Sequence, residues 1–314
     1  MKILITGCAG FIGSNLIDKL LGLDHEICGI DNFNDYYDPA VKNANISAAL
    51  ENKNFTLWRE DIEDLIRLSE IFEKEKPAIV IHLAARAGVR PSISDPMLYT
   101  RVNVGGTINL LKLASDFGIK KFIFGSSSSV YGNSKILPFD EGDLCENIIS
   151  PYGASKRSGE FFVETFFRNF GLKSIVLRFF TVYGERGRPD MAPALFASAI
   201  IKGQPISRFG SGESTRDYTY VGDIVEGIIK ALESNLEFEI INLGNSNPID
   251  LNSFITKIEK ITGKRAFVKT VKTRAGDAQK TWADIEKAKK LLGWQPQTSL
   301  DEGLERYIKW LQQN

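Results

Sequence analysis

Short apolar runs alternate along the chain with longer amphipathic ones. Ile3–Ile5, Glu26–Ile30, Phe55–Arg59, Ile79–Leu83, Lys121–Gly125 and Ser174–Phe179 are dominated by apolar and β-branched residues, so they read as strands covered on both faces. Between them Ser14–Leu21, Leu65–Phe72, Pro96–Phe117 and Tyr152–Phe170 repeat their apolar residues at helical spacing. Strand and helix in turn predict an α/β fold on a parallel, doubly wound sheet. Residues 1–179, with a return at about 222–245, are expected to form a nucleotide-binding domain. A smaller mixed α/β substrate-binding domain takes 180–221 and 246–314. No internal repeat or flexible linker interrupts the pattern.

The first strand runs into a glycine-rich turn, Gly7-Cys8-Ala9-Gly10-Phe11-Ile12-Gly13, which opens a helix. Glycines let a backbone approach a pyrophosphate, and a helix N-terminus offers unbonded N–H groups and the positive end of its dipole. The second strand ends at Asp31-Asn32, about 20 residues on, where an acidic side chain accepts a ribose 2′-hydroxyl. A helix cap or a turn would use the same aspartate. Facing the ribose, it repels a 2′-phosphate and favours NAD over NADP. The expected cofactor contacts are therefore Gly7, Gly10, Phe11, Ile12, Gly13, Asp31 and Asn32, with Asp61 and Ile62 after the third strand and Leu83, Ala84 and Ala85 after the fourth. A sheet that binds a dinucleotide in this way is of the Rossmann type. His82 reads as a packed or backbone-bonded side chain.

Composition removes several alternatives. At 314 residues, 43% hydrophobic and 25% charged, the chain can bury a large core. Its 39 basic and 39 acidic side chains cancel, so the global charge points to neither nucleic acid nor an anionic membrane. A small anion must then be held by local arginines. No apolar run nears the ~20 residues that span a bilayer, and the opening residues already read as a strand, so a cytoplasmic location is expected. Cys8, Cys28 and Cys145 are scattered and odd in number, without metal-ligand spacing. With only His25 and His82 to assist, neither a metal site nor a histidine-based hydrolase is expected.

The chemistry lies in Tyr152-Gly153-Ala154-Ser155-Lys156, downstream of the serines at Ser126–Ser129. Residues four apart on a helix share a face, so Lys156 can hold its charge near the Tyr152 hydroxyl and a ribose. A phenol with a pKa of about 10 is a poor base at neutral pH; a nearby ammonium and an oxidised nicotinamide favour its phenolate. In isolation such a pair is more often surface decoration on an amphipathic helix.

The glycine triplet at 7–13, the serines before Val130-Tyr131-Gly132, and Tyr152-x-x-x-Lys156 together resemble the extended short-chain dehydrogenase/reductase family, specifically its nucleotide-sugar epimerases and dehydratases. Arg216–Val221 and Ala275-Gly276-Asp277 extend the resemblance over essentially the whole chain. It implies a catalytic group of Tyr152, Lys156 and Ser127, whose hydroxyl bonds the sugar's reacting oxygen. Asn103 falls on a position that organises the active site beside the cofactor, though a backbone-satisfied helical residue fits equally. A UDP-sugar substrate follows, with Arg216 and Arg274 on the phosphates, Phe209 beside the uracil, and Asp277 steadying Arg274 or accepting ribose hydroxyls. A homodimer is also implied, through the Pro96–Phe117 and Tyr152–Phe170 helices. Phe161, Phe162, Phe166, Phe167 and Phe170 give more aromatic surface than one sheet-facing stripe needs, unless all of them pack within one subunit.

Dehydratases of this family place an Asp-Glu pair, and decarboxylases a Glu, where this chain has Ser128 and Ser129. Hydroxyls are poor substitutes for a carboxyl acid–base pair. What remains is 4-epimerisation with NAD regenerated in each cycle. The strings Arg178–Met191 and Asp31–Tyr37 look most like UDP-glucuronate 4-epimerases, in which the residues matching Thr181 and Arg188 meet the sugar carboxylate. Glu185 stands where many relatives have Pro, and Ser127 where Thr is common. A UDP-glucose 4-epimerase is the nearest alternative; a net dehydrogenase or reductase, or a non-catalytic nucleotide-binding relative, is more distant.

Overall fold

The structure is a computed structural model that describes residues 1–272 and 279–313. Its centre is a seven-stranded sheet among the described residues. The strands lie in the order Phe238–Leu243, Ser174–Phe179, Lys121–Ser127, Ile79–His82, Lys2–Thr6, Glu26–Ile30, Phe55–Trp58, all parallel. The order reverses between Lys2–Thr6 and Ile79–His82, which pair with Thr6 opposite His82. A doubly wound sheet leaves a crevice at such a reversal, outside the carboxyl ends of its strands. The expected Rossmann-type sheet is therefore present.

Burial on both faces explains why six strands were readable. Ile3 and Ile5 enter one core cluster and Leu4 the other, each fully buried. The seventh strand, Phe238–Leu243, escaped the sequence reading. It is an edge strand whose first half, including Glu239, is only half-buried, so it lacks the apolar run of a central strand. The expected single helix over Pro96–Phe117 is likewise corrected. It consists of helix Pro96–Tyr99, a π-helical turn Thr100–Gly105, and helix Gly106–Asp116. Three β-branched residues, Thr100, Val102 and Val104, and the Gly105-Gly106 pair weaken the regular helix at that point.

Past Phe180 the chain forms three two-stranded sheets among the described residues. Thr181–Tyr183 pairs with Tyr218–Tyr220, Pro205–Phe209 with Phe267–Val271, and Thr215–Arg216 with Ile249–Asp250. These pieces face the carboxyl ends of the main sheet and form the second wall of its crevice. No helix among the described residues is long and apolar enough to cross a membrane.

Candidate active site

The crevice is a cleft of about 1500 Å³. Its floor is the turn after Lys2–Thr6. Gly7 takes φ +70°, and a side chain there would stand 2.8 Å from the Ala84 nitrogen, so only glycine lets the turn nest against the Leu83–Ala85 loop. Gly10 caps helix Phe11–Leu21 without any side-chain hydrogen bond to the helix. The N–H groups of its first turn are thereby left for a phosphate.

Gly7, Gly10, Phe11, Ile12, Gly13, Asp31, Asn32, Asp61, Ile62, Leu83, Ala84 and Ala85 all line this part of the cleft. Asp31 accepts the Ala9 N–H at 3.2 Å and the Phe33 N–H at 2.9 Å, so it is a turn aspartate as well as a cleft residue. It is also ion-paired at 3.3 Å to the buried Lys42, a partner that sequence reading missed. A glycine floor, an uncapped helix and an acid on the second strand are the donor and acceptor set a dinucleotide needs, and the residues fit NAD.

Tyr152 and Lys156 stand on helix Pro151–Phe170. Ser150 caps it by accepting the Gly153 N–H at 3.1 Å, Pro151 fills the first turn, and Gly171 closes it in the left-handed conformation. Gly153 allows the close approach to the serine loop, because a side chain there would lie 2.5 Å from the Ser129 carbonyl oxygen. Tyr152 thus faces Ser127, whose hydroxyl hydrogen-bonds it. Tyr99 stands edge-on to the phenol, with ring centroids 6.2 Å apart, and is fixed by its own bond to the Ala87 carbonyl at 2.6 Å.

Lys156 donates to the Gly125 carbonyl at 2.7 Å, and burial lowers its pKa to about 8. Burial also pushes the Tyr152 phenol above its ordinary value, against the Ser127 bond and the Arg188 charge. In the chain alone the ammonium is engaged with a backbone carbonyl and desolvation dominates at the phenol; the expected lowering draws on an oxidised nicotinamide as well as on Lys156.

Behind these residues lie two buried polar assemblies. Glu160, one turn beyond Lys156, accepts from Ser126 at 2.5 Å, from Arg157 at 2.8 Å, and from Arg178 at 2.9 and 2.8 Å. The helix is thereby tied to strand Ser174–Phe179. On the other side, His82 bonds Thr6 at 2.7 Å and Thr107 at 2.9 Å, and Thr107 donates to the Asn103 carbonyl. Asn103 accepts the Arg86 N–H and donates to the Arg86 carbonyl and to Ser155. It stands behind the cleft wall, where Arg86 lines the cleft and Asn103 itself does not. Its partners are largely backbone, as one sequence reading expected, and they join the Arg86 loop to the Tyr152 helix.

Ser128, Ser129, Thr181, Arg188, Phe209 and Arg216 also line the cleft. Arg90 lies over the Phe209 ring at 4.4 Å, and Arg216 donates to the Thr215 carbonyl at 2.8 Å. Arg274 and Asp277 lie outside the described residues. Sequence reading also missed Tyr36 and Asp190, which touch Arg188; both sit inside the strings that carried the resemblance, where they had no assigned role.

Three comparisons agree with this geometry. The GDP-mannose 4,6 dehydratase family matches residues 4–307. A UDP-glucuronate 4-epimerase of Thermodesulfobacterium geofontis is 43% identical over 99% of this chain and 96% of its own length. Among solved structures, the UDP-glucuronic acid 4-epimerase of Bacillus cereus in complex with UDP-glucuronic acid and NAD is 38% identical, with a TM-score of 0.94 over 100% of this chain and 99% of the other. The UDP-glucose 4-epimerase of Thermotoga maritima with UDP-glucose is 35% identical, with a TM-score of 0.93 and the same coverage. Matched across nearly its whole length, the chain belongs to the GDP-mannose 4,6 dehydratase family of extended short-chain dehydrogenases/reductases.

Proposed function

We propose that the protein is a UDP-glucuronate 4-epimerase with NAD as its cofactor and Tyr152 as its acid and base. The supporting observation is that one cleft holds the Tyr152, Ser127 and Lys156 group together with Arg188, Thr181, Ser128 and Ser129. The first set suits oxidation of a secondary alcohol, the second the carboxylate at the neighbouring end of the same sugar. The relatives of known reaction support the same choice.

NAD, when bound, accepts a hydride from sugar C4 and returns it to the opposite face. The glycine turn and the helix start hold its pyrophosphate, and Asp31 its ribose. Ser127 bonds the C4 oxygen. Tyr152 takes the hydroxyl proton as the hydride leaves and gives it back after the 4-keto sugar has turned over. Lys156 stabilises the phenolate by its charge. Arg188 and Thr181, with Ser128 and Ser129, hold the C6 carboxylate away from the perpendicular arrangement in which a β-keto acid expels carbon dioxide. Phe209 lies beside the uracil, and Arg216 on the diphosphate.

The two-part division at 1–179 plus about 222–245, and 180–221 plus 246–314, follows the same reading: the first part serves the cofactor and the second the sugar nucleotide. A cytoplasmic location belongs to it too, in line with three buried free cysteines. We extend it to a homodimer through the helices around Pro151–Phe170, where Ile93, Met97, Phe161 and Phe162 are exposed. Light scattering that finds a monomer at micromolar concentration refutes the dimer.

The deciding assay incubates the protein with UDP-glucuronate and, separately, UDP-glucose, and follows the anomeric signals by NMR. Conversion of UDP-glucuronate to UDP-galacturonate at the higher kcat/KM is expected. Conversion of UDP-glucose alone would replace this reading with the neutral-sugar epimerase.

A further inference from the structure

Arg188 is held before any ligand is considered. Its Nε donates to Asp190 Oδ1 at 3.0 Å and its Nη2 to Asp190 Oδ2 at 2.6 Å, a bidentate pair. Tyr36 arrives from the loop that follows the second strand. Its hydroxyl donates to Asp190 Oδ2 at 3.3 Å and accepts from Arg188 Nη2 at 3.4 Å, and its ring centroid lies 5.1 Å from the guanidinium carbon. The Arg188 side chain is 18% exposed, that of Asp190 39%, and all three residues line the cleft.

A guanidinium offers two bidentate edges, one made by Nε and Nη2 and one by Nη1 and Nη2. Asp190 occupies the first, and the Tyr36 hydroxyl takes the other side of Nη2, which leaves Nη1, outside both contacts, for a second carboxylate. We propose that Asp190 and Tyr36 are positioning residues that aim the Nη1 end of Arg188 at the substrate's C6 carboxylate, and so set the preference for an acidic over a neutral sugar. The proposal rests on the glucuronate reading above.

The physical reason for such a device is the length of the arginine side chain. Free in the cleft, it would have to give up its rotamer freedom as the substrate bound. Asp190 fixes it in the folded protein, and Tyr36 adds a hydrogen bond and a ring face to the same guanidinium. The pair is also electrically neutral, so an uncharged sugar that reaches the site meets no naked cation. Selection then comes from hydrogen-bond geometry at the remaining Nη1 end.

The test uses the full-length, NAD-loaded enzyme carrying Asp190→Asn, Asp190→Glu or Tyr36→Phe. Turnover of UDP-glucuronate and UDP-glucose is measured, together with their affinities by calorimetry. In Asp190→Asn the ratio of the UDP-glucuronate KM to the UDP-glucose KM should rise about tenfold, the scale of one weakened charge-assisted hydrogen bond. The UDP-glucuronate kcat should fall less than its KM rises. Tyr36→Phe should move the ratio the same way by about two- to threefold, and Asp190→Glu should recover part of the selectivity. A fall in the UDP-glucuronate KM of Asp190→Asn overturns the proposal, because Asp190 is then a competitor for Arg188. Equal losses on both sugars overturn it as well, since the pair is then only structural. Wild-type turnover separates this from the broader reading: an enzyme that binds UDP-glucuronate selectively but does not epimerise it loses the proposed reaction, whereas the calorimetric ratio still judges Asp190. A wild type that binds both sugars alike overturns the proposal.

Discussion

Two arginines, Arg178 and Arg188, make nearly the same bidentate contact with a carboxylate, yet their surroundings set them to different work. Arg178 and Glu160 have side-chain exposures of 1% and 0%, and Glu160 also accepts from Arg157 and Ser126. Every edge of that carboxylate is used within the fold, so the group can only join the Tyr152 helix to the sheet. Asp190 is 39% exposed on the cleft, and its arginine keeps one edge uncommitted to it. The same pairing is architecture where it is sealed and recognition where it borders a cavity. A buried ion pair alone identifies neither; access to the cleft does.

The largest expected effect lies between the two arginines, at Tyr152. Its helix is anchored by Arg178, and its phenol feels the charge of Arg188. Tyr152→Phe keeps the ring and its edge-on contact with Tyr99, so the fold and NAD binding should survive while turnover falls ~10²–10⁴-fold. Near-normal turnover by NMR would remove Tyr152 from the mechanism.

Next in size is the sealed cluster. Glu160→Gln leaves Arg178 and Arg157 without their counter-charge inside the protein, which should cost about 3–5 kcal/mol of stability in denaturant unfolding. Activity on both sugars should then decline together. If the ratio of the two activities moved instead, Glu160 would belong to recognition and the contrast with Asp190 would collapse.

Arg188→Ala should do the reverse. Unfolding stability should change little, because the carboxylate left behind is partly exposed. Loss of a charge-assisted contact of roughly 1.5–3 kcal/mol should lower kcat/KM for UDP-glucuronate about 10- to 100-fold, and less for UDP-glucose. With the carboxylate free to turn, some of the remaining turnovers should end in a decarboxylated 4-keto pentose and reduced cofactor. The first is seen by NMR and the second by the absorbance of reduced nicotinamide. Equal losses on both sugars would make Arg188 a general structural or phosphate-binding residue.

The contrast also marks what the sequence carried. Strands buried on both faces announce themselves by composition, and the glycine turn and Tyr152-x-x-x-Lys156 are local patterns, so the sheet and the centre of the site were legible. The edge strand Phe238–Leu243 was not, because one half-buried flank removes the apolar signature. Partnerships were the least legible. Arg188 was singled out but not the carboxylate two residues on that holds it, and Tyr36 reaches it from 152 positions away. Lys42 has no local pattern that points to Asp31. The π-turn at Asn103 forms where that side chain bridges the Arg86 loop and Ser155, and no periodicity encodes such a bridge.

The smallest expected effect sharpens the comparison from the neutral side. His82 is as buried as Arg178, but it is held by hydroxyls instead of a charge. Thr107 spends its only proton on the Asn103 carbonyl, so it must accept from His82 Nε2, and Nδ1 must accept from the Thr6 hydroxyl. The ring is therefore the neutral Nε2–H tautomer, and burial, aided by the Lys156 charge, pushes its pKa well below 6.5. The unfolded chain binds a proton at this histidine as pH falls through about 6.5, and the folded chain does not. Stability should accordingly fall with pH in that range, by about 1.4 kcal/mol for each unit below 6.5 from this residue alone. The chain has two histidines, so ring-nitrogen NMR is simple to assign. Between about pH 7.5 and 5.5 the His82 signals of the folded protein should keep the Nε2–H pattern without shifting. A titrating His82, or the opposite tautomer, would mean that the link from Thr6 to Asn103 is wired differently, and that the neutral assembly is a proton-sensitive site rather than a fixed support.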